Sequence, residues 1–206
     1  MFNKDIFKIF EIPDIENRMK SIKSDIQPIF KSIWDSIIID ISKYIDRDMN
    51  IHIAQHIRRI KNPPDSTWSA ISTKKKGYKS EPHFQIGIWK QYTFIYLSMI
   101  DNPKNEKEIA NLIIDNINII KSLPDDFVYS TDHTKKEYYI LKKEIKNKNL
   151  EKDLIRFRDI KKSEFEIGRI IGSNSDLLNN YESYINYIKS TIIELLPLYK
   201  IISVYI

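Results

Sequence analysis

The stretch from His83 to Ile100 constrains the fold more than any other part of the chain. It contains one charged side chain, Lys90, and no proline. Aromatic and β-branched residues dominate it, so it reads as two strands, His83–Trp89 and Tyr92–Ile100, paired through a short hairpin. Lys90–Gln91 is not one of the strong two-residue turn signals, so the pairing rests on the flanking strand patterns. A period-two rhythm also marks Ile51 and Ile53 against His52 and Ala54, and a further strand at Thr67–Ile71.

Elsewhere the apolar period is that of a helix. Ile15, Met19, Ile22, Ile26, Ile29 and Ile33 form a stripe with Asp14 as its cap, and Pro28 should bend or divide it. A second segment continues through Ile37, Ile41 and Ile45. Asn102 and Pro103 are in the right order to open another helix, whose apolar face runs from Ile109 to Ile120 and which Pro124 stops. A short strand is expected at Phe127–Tyr129, a helix at Leu150–Phe157 and a strand at Ser163–Ile171. A last helix is expected at Leu177–Leu196, ended by Pro197, with Ile201–Ile206 as a strand or packed extension.

The order is helices, strands, a helix, strands, then a helix. That favours α+β over a βαβ repeat: one domain over residues 1–206, with a mixed or mainly antiparallel sheet covered by helices. No Pro/Gly/Ser linker divides the chain. The charged run Lys135–Lys152 is the weakest point for a boundary, and reads equally as a surface insertion. Isoleucine occurs 42 times and valine twice. Such a bias fits AT-rich codons and makes the choice of apolar residue less informative than its spacing.

The 206 residues include no cysteine, which excludes disulfides, thiol catalysis and thiolate metal sites. The start, MFNKDIFKIFEIP, lacks the apolar core of a signal peptide, and no apolar run is long enough for a membrane helix, so a cytoplasmic protein without a membrane partner is expected. The net charge of +5 is unevenly spread. Arg58–Lys79 holds seven basic residues against Asp65 alone, a net +6, which leaves −1 for the remainder.

Basic and aromatic residues interleave in and after this segment. Arg58 and Arg59 precede the Asn62–Pro63–Pro64 turn; Trp68, Lys76, Tyr78, Lys79, His83 and Gln85 follow it. Guanidinium and ammonium groups contact phosphate or carboxylate, and aromatic rings stack on planar ligands. The expected partner is therefore a small anionic or nucleotide-like ligand. Arg58, Arg59, Lys76 and Lys79 would be its charge contacts, His83 and Gln85 its polar contacts, and Trp68 or Tyr78 a stacking surface. On a strand at 163–171, Ser163, Phe165, Ile167 and Arg169 share one face and Glu164, Glu166 and Gly168 the other. Arg169 would complete an anionic pocket, or the glutamates would pair with the basic segment. The same aromatics can equally anchor strands.

Acid–base chemistry is the alternative, with His83, His133 and Asp132 as candidate catalytic residues and Asp125, Asp126 or Asp132 orienting a histidine. No nucleophile motif and no phosphate-binding loop accompanies them. His52 and His56, four apart on a strand, would lie about 13 Å from one another and make a poor chelate. No metal site and no cofactor is assigned, and the oligomeric state is left open. Nonspecific nucleic-acid binding or a structural, protein-binding role are further alternatives, but no nucleic-acid-binding motif supports the first.

Several ordered motifs resemble a bacterial family known as UPF0637, also DUF1054 or YktB-like. They are Phe10–Glu11–Ile12–Pro13, Asn62–Pro63–Pro64, Lys76–Gly77–Tyr78–Lys79 and Pro82–His83–Phe84–Gln85–Ile86–Gly87–Ile88–Trp89. Leu123–Pro124–Asp125–Asp126–Phe127, Glu164–Phe165–Glu166–Ile167–Gly168–Arg169 and Leu195–Leu196–Pro197–Leu198–Tyr199 extend the likeness over almost the whole chain. The resemblance implies a cytoplasmic α+β protein of Gram-positive bacteria, with a helix-covered sheet similar to those of ligand-binding and ligase domains. It implies no activity, substrate, cofactor or catalytic residue.

Overall fold

The computed structural model describes residues 2–101 and 103–205, with Tyr205 described by its backbone alone. A short 3-10 turn, Ile6–Glu11, leads to α1 (Ile15–Ser21), α2 (Gln27–Ile45), β1 (Asn50–Ile53) and β2 (Ser66–Ser72). Next come β3 (His83–Trp89), β4 (Tyr92–Met99), α3 (Glu106–Asp115), α4 (Ile117–Lys121), β5 (Val128–Ser130) and β6 (Tyr139–Ile140). The chain closes with α5 (Leu141–Lys146), α6 (Asn149–Asp159), β7 (Phe165–Gly172) and α7 (Tyr181–Ile202).

The fold is α+β, as expected. The strands make one sheet in the order β1-β2-β3-β4-β7-β5-β6. Every pairing is antiparallel. The hairpin at Lys90–Gln91 forms despite its weak turn residues, because β3 and β4 are buried along their whole length. Among the described residues no helix is long and apolar enough to cross a membrane.

Strand alternation divides the sheet into two unlike faces. On one, Ile71, Phe84, Ile86, Ile95, Leu97 and Ile167 join Trp34, Ile37 and Ile41 of α2 and Ile188, Ile192 and Leu195 of α7 in the main core. Each such side chain contributes roughly 1.5–3 kcal/mol when fully buried. The other face carries a separate cluster of Trp89, Tyr92, Phe94, Tyr96 and Val128, flanked by Trp68 and Ile170. Connecting segments lie against it: the Tyr92 hydroxyl donates to the Lys136 carbonyl at 2.5 Å, and the Tyr78 ring lies edge-on to His83.

Local details depart from the sequence reading in physically legible ways. Asp14 caps α1, accepting from the Asn17 N–H at 2.7 Å. A π turn at Ile22–Ile26 joins α1 to α2 in one helical run, and Pro28, which has no N–H to donate to the preceding turn, follows directly after it. Asn102 lies outside the described residues; α3 begins at Glu106, after Asn105 in the left-handed region. The strand expected at Phe127–Tyr129 forms one residue later, at Val128–Ser130. Lys135–Lys152 is built into the fold: β6, α5 and α6 occupy it, and Leu141 and Leu150 enter the core. Pro197 does not end the last helix, which runs on to Ile202. An internal proline costs about 3 kcal/mol, and burial of Leu198, Tyr199 and Ile202 beyond it offsets that loss. The expected tail is accordingly helix and then a 3-10 turn as far as Tyr205, and Ile206 lies outside the described residues.

Candidate functional site

The register of the sheet builds a site on the face away from the main core. One row across the strands reads His52, Ala70, Gln85, Tyr96, Gly168 and Val128. In the next, Ser98 pairs with His83 on one side and with Glu166 on the other, and Glu166 with Ser130. In the row on the other side, Trp68, Gly87, Phe94 and Ile170 are neighbours. Gly87 is required there. A Cβ on it would sit 2.1 Å from Cζ of Phe94, so only glycine lets that ring lie across β3.

These rows enclose a cavity of about 10 Å³, room for roughly one water-sized group. Trp68, Trp89, Tyr92, Phe94 and Tyr96 wall it; Gln85, Ser130 and Glu166 supply polar groups; His133 and Lys135 come from the segment after β5. Trp89 also lines a more open groove of about 350 Å³, together with Phe10, Asp65, Lys90, Gln91, Thr134, Lys136 and Glu137.

Two glutamates two positions apart on and before β7 behave differently. Glu166 Oε1 accepts from Ser98 Oγ at 2.7 Å and Gln85 Nε2 at 3.2 Å. Burial pushes its carboxyl up to about 7. Burial also acts upward on Glu164, but hydrogen bonds outweigh it and leave that carboxyl below its ordinary value. Glu164 accepts from the Asp101 and His133 N–H groups at 3.0 and 2.9 Å and from His133 Nδ1 at 2.7 Å. His133 is the reciprocal case: burial opposes its charge, and the bond to Glu164 prevails and raises it.

Lys79 Nζ lies 2.7 Å from Asp101 Oδ2 and 5.1 Å from the centre of the Trp68 ring. Its hydrogen bond holds the Asp101 carboxyl below its ordinary value, with a smaller contribution from Arg58. Asp101, His133 and Glu164 each offer one ligand atom, all within 4.8 Å of one another. Their charges are already met, by Lys79 on Asp101 and by His133 on Glu164.

The sequence-predicted residues divide into three groups. Trp68, Tyr78, Lys79, His83 and Gln85 do come together: the Trp68 indole donates to the Tyr78 hydroxyl at 2.8 Å, and the Tyr78 ring stacks on His52 and meets His83 edge-on. Arg58, Arg59 and Lys76 are exposed on the connecting loops. Arg58 acts on this group through its charge on Asp101, and Arg59 through its charge on His56.

Arg169 belongs elsewhere, and its expected part in the pocket is corrected. Alternation along β7 sends it to the helical side, against Asp126 at 2.8 Å, Glu194 at 3.0 Å and the rings of Phe127 and Tyr187.

The acid–base candidates are also redistributed. His83 is fully buried. Its Nδ1 donates to the Glu81 carbonyl at 2.8 Å, its Nε2 has no partner among the described residues, and burial lowers its pKa to about 3. A ring so enclosed is a neutral packing group. Asp132 shapes a turn, accepting from Thr134 N–H at 3.0 Å and pairing with Lys135 at 3.1 Å. Asp126 serves Arg169, and Asp125 is exposed near Lys142. The histidine that lines the cavity is His133, and Glu164 orients it. His52 and His56 point to separate partners, the Lys74 carbonyl and the Thr67 hydroxyl.

Tyr92, Phe94, Tyr96 and Ser98 are the participants that the sequence reading missed; Glu164 and Glu166 were expected to pair with the basic segment, and Glu164 pairs with His133 instead while Glu166 accepts from Ser98 and Gln85. The signal for the glutamates is their place at and just before the start of a largely apolar strand, where a buried carboxylate needs a specific partner.

A model for a domain of unknown function, DUF1054, matches residues 2–199. A UPF0637 protein of Enterococcus faecalis is 45% identical over 201 residues, covering 98% of this chain and 97% of the relative. The UPF0637 protein YsbB of Lactococcus lactis subsp. lactis is 45% identical over 203 residues, with 97% and 98% covered. A UPF0637 protein of Listeria monocytogenes serotype 4a is 39% identical over 199 residues, with 97% and 96% covered. With every strand and nearly every helix described above inside the matched span, the chain belongs to the UPF0637 (DUF1054) family.

Proposed function

We propose that this protein binds a small planar, polar metabolite on the loop-covered face of its sheet. The observation that carries the reading is the aromatic-walled cavity beside the open groove, with Trp89 lining both. The inner space suits one small polar group, and the groove suits the remainder of a nucleotide-sized molecule. Trp68 and Trp89 supply flat faces for a ring. Arg58 and Lys79 supply positive charge at the rim for an anionic substituent. Lys79, His133 and Lys135 each already face a carboxylate, so the rim offers an anion exchange of partners and no large positive field.

The test is calorimetric titration of the purified protein with a panel of nucleotides and phosphorylated metabolites. At least one member should bind saturably, and Trp68→Ala and Lys79→Ala should each weaken it about ten-fold, consistent with loss of a stacking or charge contact. No saturable binding, or binding indifferent to both substitutions, overturns the reading.

One observation favours an acid–base alternative. Glu166, with its carboxyl pushed up to about 7, and the His133–Glu164 pair both reach the same cavity. In that reading Glu166 and His133, and not His83, exchange the protons. Turnover of a bound ligand, abolished in Glu166→Gln with binding retained, would establish it.

A further inference from the structure

The charged groups around the cavity are paired, with one exception. Lys79 meets Asp101, His133 meets Glu164 and Lys135 meets Asp132. Glu166, 3% exposed, has no cation partner among the described residues. Its Oε1 takes the donors from Ser98 and Gln85. No hydrogen bond falls on Glu166 Oε2 or Gln85 Oε1 among the described residues. The hydroxyl of Tyr96, a residue 3% exposed that lines the same cavity, is also without a partner among the described residues. All three oxygens with unused acceptor capacity belong to residues that line the space of about 10 Å³ between aromatic faces. Aromatic faces and a carboxylate together attract a cation, and an ammonium group supplies three donors in a water-sized volume.

We propose that the inner cavity is an amine site: it takes a primary ammonium group of the ligand, paired with the Glu166 carboxylate and hydrogen-bonded to Gln85 Oε1 and the Tyr96 hydroxyl. The inference rests on the functional reading above and sharpens it. The metabolite enters with its amino end inward and keeps any anionic group outside, toward Arg58 and Lys79. The protein already sets one ammonium against this aromatic cluster, since Lys79 Nζ lies over the Trp68 ring.

Occupancy must then follow the ionisation of Glu166. Its carboxyl, pushed up to about 7 by burial, is the group that changes charge near neutrality. The groups facing it act in a known direction. His133, raised by Glu164, gains positive charge as the pH falls and so opposes a cation further. Glu164 stays ionised, Tyr92 and Tyr96, both raised by burial, stay neutral, and the nearby Lys79 and Lys135 are paired with Asp101 and Asp132. His83, lowered to about 3, does not titrate in this range.

The probe is methylammonium, titrated calorimetrically into the full-length protein at pH 6 and pH 8, with inorganic phosphate as the anionic counterpart. Binding is expected to be about ten-fold tighter at pH 8, the change in the ionised fraction of a carboxyl titrating near 7. Glu166→Gln should weaken it at least ten-fold at pH 8 and remove most of its pH dependence, leaving only the part due to His133, and Tyr96→Phe should weaken it while keeping the full dependence. Tyr96→Phe keeps the test open if Glu166→Gln does not fold. If phosphate binds at this face and methylammonium does not, the pocket reading stands and the amine site is overturned. Methylammonium binding that Glu166→Gln leaves unchanged, or that tightens at pH 6, also overturns it. If neither probe binds and the metabolite panel is silent as well, both readings fall.

Discussion

His83 shows how far a residue's type can mislead about its role. Beside aromatic and basic neighbours it looks like an acid–base group, yet it is enclosed, singly bonded and neutral. That enclosure has a measurable consequence. A histidine whose folded pKa of about 3 lies below its unfolded value contributes stability that is present above about pH 6.5 and is lost as the pH falls toward 3. Between pH 6.5 and pH 5 the loss is about 2 kcal/mol. Urea unfolding at the two pH values should show this slope in the wild type, and His83→Leu should lack most of it. Glu166 carries the opposite sign. Its pKa is raised to about 7, so its contribution is full below the unfolded carboxyl value and disappears as the pH rises through 7. Glu166→Gln should accordingly unfold at a higher temperature than the wild type at pH 8, and at a similar temperature at pH 4. A lower melting temperature at pH 8 would show that Glu166 is stabilised as an anion by groups other than those described.

At the scale of elements, the strands were legible and the faces were not. Period-two spacing marks β1 to β4 and β7 because each alternates between a helix-packed side and a loop-covered side. It does not say which side of one strand meets which side of another. That depends on pairing: Gln85 meets Glu166 across 81 positions of sequence, and His133 meets Glu164 across 31. The Arg169 reading failed for this reason, since neighbouring positions on β7 serve different layers. Pro197 failed for another, because a local helix breaker was outweighed by burial on either side of it. Relief of that local cost makes Pro197→Ala a stabilising substitution, by ~1–2 kcal/mol in denaturant unfolding. Gly87→Ala acts in the other direction. Its Cβ would collide with the Phe94 ring, and overpacking of this kind costs about 1–3 kcal/mol. The displaced ring would also enter the cavity, so ligand binding should be lost at temperatures where the variant is still folded.

For the whole molecule, the division of labour between the two faces of the sheet is the central point. One face is a conventional apolar core beneath α2 and α7. The other concentrates aromatic walls, a carboxylate with no cation partner among the described residues and a set of compensated ion pairs under connecting segments. The basic stretch Arg58–Lys79, the most conspicuous feature of the sequence, contributes Lys79, Trp68 and Tyr78 to that face and leaves Arg59 and Lys76 in solvent. Local charge thus marks some residues of that face, while Glu164 and Glu166 come from a part of the chain distant in sequence.

The most direct test of the two-face account uses the three tryptophan indole N–H signals in a nitrogen-15 NMR titration with the metabolite panel. Trp34 donates to Ser69 at 2.8 Å on the helical side and serves as an internal reference. A ligand in the proposed place should shift the Trp68 and Trp89 signals saturably and leave Trp34 unmoved, and Gly87→Ala should abolish those shifts. Shifts confined to Trp34, or equal at all three, would contradict the account.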